Sequence, residues 1–182
     1  MLIYWVMYLI PATFAFIFPQ KQKPVLFLIA YMGIIFSLTV GFRHNIGSDW
    51  SQYLRHYEEI KEISFLGIFD KPGDYGHLIF NWIFAKLDLG IHWLNFTYII
   101  IFFIGLIKFC NKEKNPWIAI CVATPYLILV VAMSLTKQSV ALGFIFLGIN
   151  YLRDKKFIYF ILSIICGAFF HNSAIIMLFF LL

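Results

Sequence analysis

Seven apolar runs separated by short hydrophilic breaks leave this chain few ways to fold. They cover residues 2–18, 25–42, 91–110, 117–134, 138–152 and 157–170, with a last one beginning near Asn172. Roughly 20 apolar residues cross the hydrocarbon of a bilayer as one helix, and a membrane barrel needs alternating polar and apolar positions, which these runs lack. The expectation is an all-α fold: a polytopic transmembrane helix bundle with six complete spans plus the start of a seventh, a single integral membrane domain over residues 1–182. Composition points the same way, with 62% apolar and 13% charged residues where soluble domains hold roughly half and a quarter.

Details of the runs sharpen the expectation. The first has no basic n-region and no small-residue cleavage site, so it is read as a retained helix. The fifth and sixth hold roughly 15 and 14 residues, below the roughly 17 that span unaided, so the bilayer thins there or the adjoining turns dip inward. Pro125, inside the fourth run, is expected to kink it. Cys110, Cys121 and Cys166 lack C-x-x-C spacing and read as buried packing residues. The seventh run stops at Leu182, which would leave a carboxylate in hydrocarbon at a cost of several kcal/mol; the chain therefore reads as the N-terminal part of a longer protein.

The net charge of +5 is distributed as topology, not as a nucleic-acid surface. Alternate breaks carry Lys21 and Lys23, then Lys108, Lys112 and Lys114, then Arg153, Lys155 and Lys156, whereas the other short breaks hold Lys137 alone. By the positive-inside rule the N-terminus lies outside and the basic loops are cytoplasmic, in a multi-pass protein of the cell membrane. Segment 43–90 and the turns at 135–138 and 170–173 then share the exterior face. Segment 43–90 is not a featureless loop. Trp50, Tyr53, Leu54, Tyr57 and Ile60 recur at helical spacing, predicting an interfacial amphipathic helix from Asp49 onward, its aromatic stripe toward lipid or protein. A second follows a 71–74 turn and runs over 75–86, with Trp82 as an interfacial anchor.

The densest polar chemistry lies at 41–57. Arg43 either snorkels at a membrane edge or presents its planar fork to a phosphate at headgroup depth. Asn45, Gly47 and Asp49 accompany it. Asp49 is either a general base for a sugar hydroxyl or an ordinary N-cap, a role open to Ser48 too. Gly47 supplies a positive-φ backbone. Lys137 with Gln138, and His171 with Ser173, sit at apolar boundaries on the same face. An ionisable group there marks a functional site by default, the alternatives being a snorkelling lysine and a histidine that ties helices together. His44, His56, His77 and His171 show no ligand spacing, so no metal site is assigned. No phosphate-cradling glycine loop or nucleophile elbow is present.

Arg43, Ile46-Gly47, Asp49-Trp50 and Tyr53 resemble the R-x-x-[IV]-G-x-D-[YW]-x-x-Y signature of the EpsG family, membrane proteins of exopolysaccharide biosynthesis. Lys137-Gln138 stands where that family usually shows Arg-Gln, and His171-Asn172-Ser173 where it shows His-x-Ser. The lysine keeps the charge but loses bidentate geometry. The resemblance implies a Wzy-like polymerase, a glycosyltransferase acting on polyprenyl-diphosphate-linked oligosaccharide at the outer leaflet, with an architecture like membrane glycosyltransferases. Family members are longer, which puts the activity of a truncated chain in doubt. On this reading Arg43, Asn45, Tyr53, Lys137, Gln138 and Ser173 bind substrate. Arg43 and Lys137 neutralise the diphosphate, Asp49 or His171 activates the acceptor hydroxyl, and no cofactor is needed. The partners are the lipid-linked oligosaccharide, the bilayer and other polysaccharide assembly proteins. The alternatives are a flippase for lipid-linked sugars, which would place polar residues at mid-bilayer, and a non-catalytic subunit of an assembly complex.

Overall fold

The computed structural model describes residues 2–18 and 23–181; Lys21 and the side chain of Lys23, two of the groups behind the charge asymmetry, lie outside the described residues. The order is α1 (Leu2–Ile17), α2 (Lys23–Gly41), α3 (Trp50–Lys61), a 3-10 turn (Leu66–Asp70), α4 (Tyr75–Lys86), α5 (Ile91–Cys110), α6 (Pro116–Ala123), π-helical turns (Thr124–Ala132), α7 (Thr136–Arg153), α8 (Phe157–Phe170) and a final 3-10 segment (Asn172–Leu181). No strand occurs among the described residues. The fold is all-helical.

Helix length by itself does not fix the number of spans. Among the described residues, only α5 is by itself both long and apolar enough to cross a membrane. Leu2–Ile17, Phe27–Gly41, Pro116–Ala132 and Phe157–Phe170 are apolar but shorter. The apolar runs overstate the helices because some of their end residues, such as Phe18 and Phe42, fall outside the regular turns. In the fifth run the error has the opposite sign. Thr136 and Lys137 join the first turn of α7, which reaches 18 residues, so it is not the short helix its apolar stretch implied.

Local chemistry explains several boundaries. Asn115 caps α6, its Oδ1 accepting from the Trp117 and Ile118 N–H groups at 3.1 and 3.2 Å, with Pro116 in the first turn where no donor is needed. Pro125 lacks an N–H, and the helix absorbs it by widening into the π turns over Thr124–Ala132.

Helix α5 is the central post, packed on α2 and α7, with α8 behind α7 and α1 against α6. At the α5–α7 crossing Gly105 faces Gly143, and a Cβ on Gly105 would run into the Gly143 carbonyl. Only small residues let two backbones approach so closely. One core gathers Met7, Phe36, Phe102, Trp117 and Ile128 between α1, α2, α5 and α6. Trp117 is wholly buried, so its truncation to alanine should cost about 3–5 kcal/mol.

Helices α3 and α4 lie over one end of this bundle. Their apolar stripe faces protein: Trp50 and Tyr57 pack with Ala85, Leu94, Tyr98, Val140 and Phe170, while Ile60 packs with Ile68 and Leu78. Trp82 is likewise tied inward, donating its indole N–H to the Ile63 carbonyl at 3.1 Å. The Gly90 N–H donates to the Tyr57 hydroxyl at 3.1 Å, fixing α3 to the start of α5. Of the cysteines expected to be buried, only Cys110 is fully so. Cys110 is buried, Cys121 half-buried and Cys166 exposed, because Cys166 falls on the outward stripe of α8 with Ile158, Leu162, Ile165 and Phe169.

Candidate functional site

Beyond α2 the chain turns through Asn45 (φ 52°) and Gly47 (φ 105°) into α3. A Cβ on Gly47 would strike the Met133 carbonyl oxygen, so glycine is needed both for conformation and for the loop's seat against the end of the π turns. Arg43 holds this loop from inside. It is 5% exposed, donates from Nη1 to the Val40 carbonyl at 2.8 Å and from Nε to the Ile46 carbonyl at 3.3 Å, and lies 5.9 Å from the Trp50 ring centroid. Burial pushes its pKa down to about 10, so the guanidinium stays charged at neutral pH.

The loop delivers Asp49 and Tyr53 to a polar cleft of about 380 Å³. From the α3 side it is lined by Asp49, Gln52, Tyr53, Arg55, His56 and Glu59; the Pro72–Gly73–Asp74 turn, with His77 and Leu78 of α4, forms a second wall; Lys137 and Gln138 of α7 form the third. Asp49 occupies the N-cap position of α3, yet its side chain makes no capping hydrogen bond. Its Oδ1 accepts from the Ser48 hydroxyl at 2.8 Å.

The electrostatic centre is Asp74, only 8% exposed. Its Oδ2 accepts from Lys137 Nζ at 2.8 Å and lies 3.6 Å from His171 Nδ1. Its Oδ1 accepts a longer bond, 3.4 Å, from the Asn172 N–H. Asp74 holds the N-cap position of α4 and, like Asp49, makes no side-chain cap. Burial works to raise its pKa, but the Lys137 ammonium outweighs burial and holds the carboxyl below its ordinary value. The approach is possible because a Cβ on Gly76, in the first turn of α4, would come within 2.7 Å of the Phe169 carbonyl. That close contact carries the start of α4 to the end of α8.

Behind this pair stands an uncharged wall. His56 and His77 stack with centroids 5.4 Å apart, and Tyr53 meets His77 edge-on at 5.5 Å. His77 Nδ1 is 3.0 Å from the Tyr98 hydroxyl. Burial pushes the His77 pKa down to about 3 and also lowers that of His56. Both rings are neutral at neutral pH.

Of the residues singled out from sequence, Asp49, Tyr53, Lys137 and Gln138 line the cleft, coming from two motifs far apart in the chain. His171 stands behind it against Asp74. Arg43 faces the loop backbone, and Asn45 and Ser173 are exposed away from the cleft lining. Sequence reasoning missed Asp74, Arg55 and Glu59 as site residues. Asp74 read only as part of a turn, and its contact with Lys137 spans 63 positions, a relation no local pattern carries. The histidines do not converge: His44 packs on Trp50 and His92, His56 on His77, and His171 on Asp74. Among the described residues no group of three or more His, Cys, Asp or Glu is placed to hold a metal ion. A separate groove between α2 and α5 is lined by Ile34, Phe96, Ile100 and Ile104 and holds almost no polar surface.

These features define a class: an all-helical, strongly apolar protein with a polar, charge-lined cleft at the end of its bundle. The sequence matches the EpsG family over residues 25–182, and the chain belongs to that family. No curated protein and no solved structure is significantly similar to it. Membership carries the expectation of a membrane-associated, Wzy-like polysaccharide polymerase.

Proposed function

We propose that this protein is a polytopic membrane polymerase that transfers polyprenyl-diphosphate-linked oligosaccharide onto a growing glycan, with the cleft open at the outer leaflet. The observation that carries the reading is the cleft itself, where an uncapped carboxylate, Asp49, shares one concavity with two cations, Arg55 and Lys137. Membrane embedding is supported by the outward faces of the helices. Leu2, Trp5 and Leu9 on α1, Ile34 and Leu38 on α2, Ile118 and Val122 on α6, and Ile158, Leu162 and Ile165 on α8 are all exposed. Soluble monomers rarely leave so much contiguous apolar surface in water.

In the proposed reaction the acceptor hydroxyl oxygen attacks the donor's anomeric carbon while its proton passes to the Asp49 carboxylate. The bond from that carbon to the diphosphate oxygen breaks, and the electron pair leaves with the polyprenyl diphosphate. Lys137 and Arg55 neutralise the departing charge. Arg43 acts at one remove by holding the loop that presents Asp49, and His171 by packing on Asp74.

The test is reconstitution of the full-length protein in vesicles with a labelled lipid-linked repeat unit. Chain growth that falls about 100-fold in Asp49→Asn, at unchanged melting temperature, is the expected result. Normal polymer from that variant removes the base role. Leaflet exchange without growth replaces the polymerase with a flippase, and neither activity leaves a binding subunit. Labelling of single cysteines at positions 49 and 137 from outside, and at 112 and 154 only after permeabilisation, is expected from the proposed orientation.

A further inference from the structure

We infer that Asp74 is a stand-in for the substrate: the internal counter-ion that holds Lys137 in the cleft and must release it to the incoming diphosphate. The inference rests on the polymerase reading and names what that reading leaves out, the partner Lys137 has before substrate arrives. Three observations carry it. Asp74 sits at a helix N-cap but makes no side-chain cap, so its carboxylate is committed elsewhere. It is 8% exposed and 2.8 Å from Lys137 Nζ, while Lys137 keeps 30% exposure and faces the cleft. A second potential partner, His171 Nδ1, waits 3.6 Å from the same carboxylate oxygen and makes no hydrogen bond of its own.

Two anions then compete for one ammonium. A buried carboxylate that loses its cation is left with a large desolvation cost, so exchange is feasible only if something else can hold Asp74. His171 and the Asn172 N–H are already on that side of the carboxylate. A diphosphate arriving from the cleft draws Lys137 outward, and Asp74 closes on His171. Asp74 is thus a positioning residue. It keeps Lys137 from pairing with stray anions or folding back toward the bundle, and the strength of its hold limits how tightly the ground-state diphosphate binds.

This account predicts a result that a merely structural role would not give. Neutralising Asp74 should tighten anion binding. In the full-length protein in nanodiscs, inorganic pyrophosphate should bind Asp74→Asn about fivefold more tightly than wild type, a shift of the size expected when a partly exposed ion pair no longer competes. For the lipid-linked donor, KM and kcat should both fall, since binding improves while the placement of Lys137 in the transition state is lost. Asp74→Ser, neutral and a good helix cap, is the second variant if the asparagine fails to fold, and it should show the same tightening. Asp74→Glu should bring pyrophosphate affinity back toward the wild-type value. Unchanged or weaker pyrophosphate binding in both neutral variants overturns the inference while leaving the polymerase reading intact. Binding that is as tight in Lys137→Ala as in wild type also overturns the inference alone, because Arg55 remains in the cleft, whereas wild-type binding that is absent overturns both.

Discussion

Helix α7 carries ion pairs at both ends, and the two ends are built to opposite effect. At its C-terminus Arg153 meets Glu113 at 2.8 Å and lies over Phe109, and Asp154 meets Lys112; the four charged side chains are each about a third exposed or more. A cation in the last turn is where the helix dipole favours it, and exposed pairs of this kind are screened and contribute little. At the N-terminus Lys137 sits in the first turn, where the dipole disfavours a cation and welcomes an anion. Its partner there is nearly buried, shared with a histidine, and set in the wall of a cleft. One end clamps loops together at small cost. The other holds a charge against its local preference, as a site that exchanges ligands would.

The strongest way to break this contrast is Lys137→Ala. Polymer formation in the reconstituted system should fall about 100-fold, the usual cost of removing one group that stabilises departing charge. The melting transition should drop by about 2 kcal/mol, below the cost at a fully buried pair because Lys137 retains partial exposure. Polymer within twofold of wild type would show that the two ends do not differ in kind.

The pH dependence of folding sharpens the contrast next. His77 is refused its proton in the folded state until about pH 3, whereas its ordinary pKa is 6.5. Between those values the unfolded chain binds the extra proton, so stability should decline steadily as pH drops through that window and stay level above it. Thermal melting across the range in wild type and His77→Phe checks this, the variant losing most of the slope and keeping the part that His56, also depressed by burial, supplies. The Asp74 and Asp154 carboxyls are both depressed by lysine partners. Their contribution is present above the ordinary carboxyl range and lost only as pH falls below it, so the carboxyl window meets the histidine window only at its acid end.

The smallest effect is expected at the opposite end. Lys112→Ala should leave polymer yield unchanged and move the melting temperature by about a degree or less. Any shift should vanish in high salt. A loss comparable to that of Lys137→Ala would require this end of α7 to take part in the reaction.

Sequence alone determined the class of structure and the neighbourhood of the chemistry. Apolar runs and helical spacing are local properties, and they placed α5, α4 and α8 at the boundaries observed and the start of α3 within one residue. The motif from Arg43 to Tyr53 is local as well, and it led to the family the chain belongs to. What tertiary structure decided is which way those side chains point and whom they meet. Arg43 turns onto its own loop and donates to the Val40 and Ile46 carbonyls, and a one-dimensional pattern does not encode that direction. Asp74 reaches Lys137 across 63 positions and the Asn172 N–H across 98, through a close approach of α4 and α8 that hinges on Gly76 lacking a side chain. Secondary structure follows from periodicity along the chain, whereas a buried charge finds its partner only when packing brings distant segments together and desolvation forces them to pair.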